Sequence, residues 1–142
     1  MTDPALALQD GIEQAMRTDA AILTAMGLER VRLYTMSAPV EAPYPFIVIG
    51  EDQIVDDSTD CSDSTEAFAT VHVWARLEDD VAGTRRQAKQ IASAVRGALQ
   101  SMTVISGFDL VLSEFENTRH LTDPDGLTAH AVISYRFLLD PA

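Results

Sequence analysis

Apolar residues at the start of the chain recur at helical spacing. Leu8, Ile12, Ala15 and Met16 follow a proline, Pro4, that suits the first turn of a helix, and Asp3 precedes it as N-cap. The pattern predicts a helix over residues 4–17. Thr18 and Asp19 can cap a second, shorter helix over residues 20–26, which Gly27 would stop in the left-handed conformation. The period then changes from helical to alternating. Residues 31–36 carry β-branched and aromatic side chains at strand spacing, and Pro39, Pro43 and Pro45 forbid regular structure after them. Phe46 opens a second strand that runs to about Ile54, and residues 67–76 form a third. In the third, Val71, Val73 and Ala75 share one face while Phe68, Thr70, His72 and Trp74 share the other, which predicts burial on both.

A long helix is predicted over residues 81–102. Its Ala88, Ile91, Ala92, Val95, Ala98, Leu99 and Met102 form one apolar stripe, with Arg85, Arg86, Lys89, Gln90 and Arg96 mostly outside it, so the helix should cover a sheet. Two long alternating segments follow Gly107, over residues 110–122 and 127–139, joined by the turn sequence Asp123-Pro124-Asp125-Gly126. With Pro124, Asp125 and Gly126 as a three-residue loop, Glu114 faces Arg136, Leu112 faces Leu138, Phe115 faces Tyr135 and His120 faces His130. Val111, Phe115, Leu121, Ala131, Ile133, Tyr135, Phe137 and Leu139 then share the core face. Glu114, Glu116, Thr118, His120, His130, Ser134 and Arg136 share the polar one. The fold class is α+β: an antiparallel or mixed sheet of about five strands, with one long helix and an N-terminal helical pair packed on it, ending in a long β-hairpin.

Composition adds a size and a sign. A chain of 142 residues with 46% apolar and 23% charged residues and a mean hydropathy of +0.02 fits one globular domain spanning residues 1–142. Nothing at the start reads as a signal peptide, and no apolar run approaches the roughly 18 residues of a membrane span, so neither export nor a membrane anchor is expected. A formal charge of -12 and a pI near 4.4 have the wrong sign for gripping phosphates, which disfavours tight DNA binding. That charge is unevenly spread. Glu51, Asp52, Asp56, Asp57, Asp60, Asp63 and Glu66 carry over half of it, with no base among them, and the intervening Ser and Thr residues predict a mobile acidic loop over about 51–66. The order of these acids is not that of an EF-hand loop.

Residues that could carry chemistry are sparse. His120 facing His130 would offer two imidazoles to one ion, but zinc needs further ligands, and the pairing of the strand that bears His72 is not fixed by the sequence. Ser113, His120 and Asp123 supply the residue types of a hydrolase triad without a Gly-x-Ser-x-Gly elbow. Neither a dinucleotide fingerprint nor a phosphate loop occurs. Cys61 is alone, so it forms no intrachain disulfide, and its neighbours Asp60 and Asp63 disfavour a thiolate nucleophile. The expectation is a protein with no catalytic residue, no metal and no cofactor.

Five segments, taken in order, carry a resemblance. They are Leu6-Ala7-Leu8-Gln9 in the opening helix, Ala42-Pro43-Tyr44-Pro45-Phe46-Ile47-Val48-Ile49-Gly50-Glu51 at a strand entry, Val71-His72-Val73-Trp74-Ala75-Arg76, the helix Ala88-Lys89-Gln90-Ile91-Ala92-Ser93-Ala94-Val95-Arg96-Gly97-Ala98-Leu99, and the turn Asp123-Pro124-Asp125-Gly126-Leu127-Thr128. Over nearly its full length the chain resembles the tail-terminator, or tail-completion, family of long-tailed phages and phage-like gene transfer agents. The resemblance implies a structural protein forming a ring of six identical copies at the head-proximal end of a tail tube. There it would stop tube growth and join the tail to a head–tail connector or stopper protein, while DNA passes through without specific binding. It further implies assembly in the host cytoplasm, then residence at the tail–head junction. In such a ring the acidic loop would face the lumen, repelling phosphates, or face outward as solubilising surface, or dock on a neighbouring ring, and Glu114, Glu116, His120, His130 and Arg136 would form an interface. Two other readings use the same residues: another neck or connector component, and a small-ligand-binding or enzymatic α/β domain built on the hairpin's polar face.

Overall fold

The computed structural model describes residues 3–61, 63–103 and 105–142. Among these, the elements in chain order are α1 (Pro4–Arg17), α2 (Ala20–Met26), β1 (Leu33–Thr35), β2 (Phe46–Asp56), β3 (Thr65–Ala75), α3 (Val81–Gln100), β4 (Phe108–Thr122) and β5 (Ala129–Pro141). Each helix starts on an aspartate whose carboxylate accepts orphaned backbone N–H groups. Asp3 takes those of Ala5 and Leu6, Asp19 that of Ile22, and Asp80 that of Gly83. Gly27 ends α2 with φ at 69°, as the sequence requires.

The strands form one five-stranded sheet in the order β1-β2-β3-β5-β4. β1 pairs with β2 in parallel and every other pair is antiparallel, which makes the sheet mixed. α3 lies across β3, β5 and β4, and α1 packs against α3 and β2. The predicted stripe of α3 is the buried one: Ala88, Ile91, Ala92, Val95, Ala98 and Leu99 face the sheet, joined by Leu8, Ile12 and Met16 of α1 and Ile22 of α2. Opposite them, Ala67, Ala69, Val71 and Val73 of β3 and Ala131, Ile133, Tyr135, Phe137 and Leu139 of β5 are removed from water. Tyr135 keeps its polar tip satisfied, with its hydroxyl 2.7 Å from Gln100 Oε1 and 3.2 Å from the Arg96 carbonyl. The other face of β3 is only half-buried, not sealed as expected, because the helices all contribute to one side.

Two expectations about the C-terminal hairpin change. Glu114–Arg136, Leu112–Leu138 and Phe115–Tyr135 do face each other, but β4 bulges between Leu110 and Leu112 and again between Phe115 and Asn117. Each bulge adds a residue to one strand and turns the following side chains to the other face. His120 therefore opposes Ala131, and His130 opposes Leu121. Val111 and Leu121, expected in the core, are 54% and 41% exposed. The turn is also one residue longer than expected. Asp123 N–H donates to the Thr128 carbonyl at 2.9 Å, and Asp125 accepts from both backbone N–H groups and the hydroxyl that follow it, at Leu127 and Thr128. Gly126, at φ of 70°, supplies the left-handed residue inside that turn.

The acidic stretch is likewise more ordered than the predicted loop over about 51–66. Glu51, Asp52 and Asp56 belong to β2 and Glu66 to β3, paired from Asp52↔Ala69 to Asp56↔Thr65, so that only residues 57–64 connect the strands. Hydrogen bonding to β3 imposes the strand where the side chains alone would not.

Phe137, fully buried at the centre of β5, should be the costliest position to truncate. Phe137→Ala is expected to lower stability by about 3–5 kcal/mol, read as a shift of the denaturant midpoint at unchanged slope.

Candidate functional site

The sheet face turned away from the helices is covered only by its own side chains. Phe46 of β2 lies 5.9 Å from Tyr34 and 5.3 Å from Tyr44, stacks on Trp74 at 6.3 Å, and Trp74 in turn stacks on His130 at 3.7 Å between ring centres. These rings floor a hollow of about 410 Å³ beneath the segment that follows β1, with Met36, Pro39 and Val48 at its sides. His72, opposite Val132, and His130, opposite Trp74, are diagonal neighbours across the β3–β5 pairing and meet through Nδ1 and Nε2 at 2.8 Å. One nitrogen donates and the other accepts, so at least one ring is neutral. Gly50 makes room for this pair: a Cβ there would sit 2.6 Å from the His72 ring.

Burial sets the protonation of that pair. It pushes His130 down to about 4, with further lowering from His72 and Arg119. His72 is lowered chiefly by burial and also by Arg119, against an opposing pull from Glu51. Along the same face, Arg136 Nε donates to Glu66 at 2.5 Å, and its Nη1 lies 3.9 Å from Glu114. Glu66 is thus already partnered. Glu51, Asp52, Asp56, Asp57, Asp60 and Asp63 are exposed, and no cation pairs with them among the described residues.

His120 sits elsewhere, in a trough of about 490 Å³ between α3 and β4, beside Lys89, Ser93, Arg96 and Asn117. The Arg96 guanidinium lies over the Phe115 ring at 3.7 Å. Burial lowers the His120 pKa, helped by Lys89 and Arg85, and its Nδ1 has no hydrogen-bond partner among the described residues. Glu116, the residue inserted by the second bulge, lines the same trough. The structure therefore splits the expected hairpin face: His130, Arg136 and Glu114 on one side, His120 on the other. Ser113 and His120 lie on one strand, about 20 Å apart at strand rise, and do not form a catalytic pair. Among the described residues, no group of three or more His, Cys, Asp or Glu is placed to hold a metal. No helix among them is long and apolar enough to cross a membrane.

The arrangement offers surfaces rather than a reaction centre, and comparison with known proteins identifies the kind. The family model described as tail completion protein gp17 matches residues 10–140. The chain belongs to the tail completion protein gp17 family. Its relative in Bacillus phage SPP1, also a tail completion protein gp17, is 31% identical over 114 residues, covering 80% of this chain and 81% of the relative. The solved SPP1 gp17 structure superposes with a TM-score of 0.59 at 25% identity, over 94% of this chain and 88% of the other. A chain in the virion of a native gene transfer agent particle has the same fold, with a TM-score of 0.81 at 20% identity over 99% of both chains. The α+β fold of this family member is the one its sequence pattern predicts.

Sequence reasoning missed the His72–His130 contact, which joins residues 58 positions apart. The available signal was that His72 and Trp74 share a strand face. What they meet there depends on a long-range register.

The neutral pair gives this family member a pH dependence. With folded pKa values below the ordinary imidazole value of about 6.5, the native state binds fewer protons than the unfolded chain below that pH. The pair's contribution is complete above about pH 6.5 and is lost as pH falls toward 4. The melting temperature should drop between pH 7 and about pH 5, and His130→Gln should flatten that part of the drop.

Proposed function

We propose that the protein is a structural component that closes the head-proximal end of a phage-like tail tube, as a ring of six copies through which DNA passes. Membership of the tail completion protein gp17 family is the observation that carries this reading. The full-length likeness to a chain in a gene transfer agent virion supports it. On this reading each copy contacts its neighbours in the ring, the tail tube protein on one side and a connector or stopper protein on the other. Assembly takes place in the host cytoplasm and the finished ring stays at the tail–head junction. A net charge of -12 per copy suits a channel wall, because like charge keeps phosphates from being held as the duplex slides. No catalytic step is needed for any of these roles.

Deleting the gene in a producing cell and imaging the particles tests the reading. Overlong or unjoined tails beside full heads are expected. Normal joined particles would remove the assembly role and turn attention to the aromatic hollow as a ligand site.

A further inference from the structure

A cyclic ring needs two different, complementary patches on opposite flanks of each copy. Resting on the ring reading above, the charge distribution of this chain assigns them. α3 contains no acid and carries Arg85, Arg86, Lys89 and Arg96, four of the ten cations of the chain. Among the described residues none of the four makes an ion pair, although the chain has 22 acids to choose from. Arg86, Lys89 and Arg96 are exposed, and Lys89 and Ser93 join a shallow hollow of about 710 Å³ along the helix to the trough of about 490 Å³ that holds Arg96 and His120. The acids that could answer this ridge lie on the β2–β3 arm.

Topology keeps the two apart within one copy. β1 covers only Ile47 to Ile49 of β2, so the outer half of β2, with Glu51, Asp52 and Asp56, is an uncovered edge on one flank. β4 forms the other edge, and α3 is tied to it by Arg85 on Thr122 and by the Gln100 amide donating to the Ser113 carbonyl at 3.0 Å. Arg85 sits at Thr122, which pairs with Ala129, whereas Thr65 of the arm pairs with Leu139, so the start of the ridge and the arm lie at opposite ends of β5, a placement open to a head-to-tail contact. We propose that the exposed face of α3, from Arg85 to Arg96, receives the acidic β2–β3 arm of a second copy of this chain. The arm then belongs to the joint between copies and not to the channel wall. Two ridges facing each other, or two arms, repel, so the contact disfavours those like-on-like pairings and is compatible with a head-to-tail ring.

The test uses full-length variants in producing cells lacking the natural gene, with joined particles counted by electron microscopy and the purified proteins weighed by native mass spectrometry at low salt. Asp56→Lys with Asp57→Lys, and separately Arg86→Glu with Lys89→Glu, should each cut joined particles by about tenfold or more. All four substitutions together should recover most of the loss, which also shows that the reversed chains fold. The milder Asp56→Asn with Asp57→Asn should produce a smaller loss in the same direction. Normal particle yields from both reversed variants would overturn the proposal. So would a fourfold variant as defective as its parents, because arm and ridge would then meet different partners, such as DNA on the ridge or another protein on the arm. Loss of joined particles in the deletion, with normal yields from both reversals, removes these faces and leaves the assembly role standing. Normal particles in the deletion remove the assembly role itself.

Discussion

β5 is hydrogen-bonded to β3 along one edge and to β4 along the other, and Ala131, Ile133, Tyr135, Phe137 and Leu139 leave water completely on the side that α3 covers. The rest of the protomer follows from that constraint. A central strand must hide one face under a helix, so α3 needs an uninterrupted apolar stripe, and its alanines at 88, 92 and 98 let it approach the sheet closely. With the cations confined to its outer side, α3 can pack without burying a charge. The same arrangement leaves the second face of the sheet without a helix, and there the chain uses stacked rings in place of a second layer.

That substitution explains the histidines. A half-covered face tolerates polar side chains only when they are partnered, and His72 and His130 partner each other while lying against Trp74 and Gly50. Keeping the rings neutral costs little at pH 7, where an ordinary imidazole is mostly uncharged. The pair is a structural joint between β3 and β5 that weakens in acid.

What the sequence made legible were the elements whose causes are local. Asp3 and Asp19 announce two helix starts, Gly27 announces an end, and the spacing from Ala88 to Leu99 identifies the buried side of α3. The register around Phe115 and Tyr135 was legible because both strands alternate cleanly there. It was lost on either side because a bulge is decided by the partner strand and the packing behind it, and neither Val111 nor Glu116 marks itself as an extra residue. For the same reason the strand was read only to about Ile54 and the acidic stretch as a loop: Ile54 and Val55 are too few apolar positions to carry a strand to Asp56, and pairing with β3 supplies what they lack. The candidate hairpin site fared as its register did, with Glu114 and Arg136 together and the two histidines on opposite faces.

Charge segregation is the feature that neither folding nor solubility accounts for. A soluble monomer of this size is served best by mixing its charges, since interspersed signs give many weak attractions and no strong external field. Here an acid-free helix begins beside Thr122 and a base-free arm leaves the far end of the sheet beside Leu139, and the fold pays the internal repulsion of Asp56, Asp57, Asp60 and Asp63 in one short stretch. That repulsion is offset only when an opposite surface approaches. Within one copy the register keeps the arm from the start of the helix, because the arm leaves the sheet beside Leu139 of β5 while Arg85 sits at Thr122, which pairs with Ala129 at the other end. The register of β3, β5 and β4, set by the need to bury β5, thus determines which charged surfaces remain free for the contact proposed between copies.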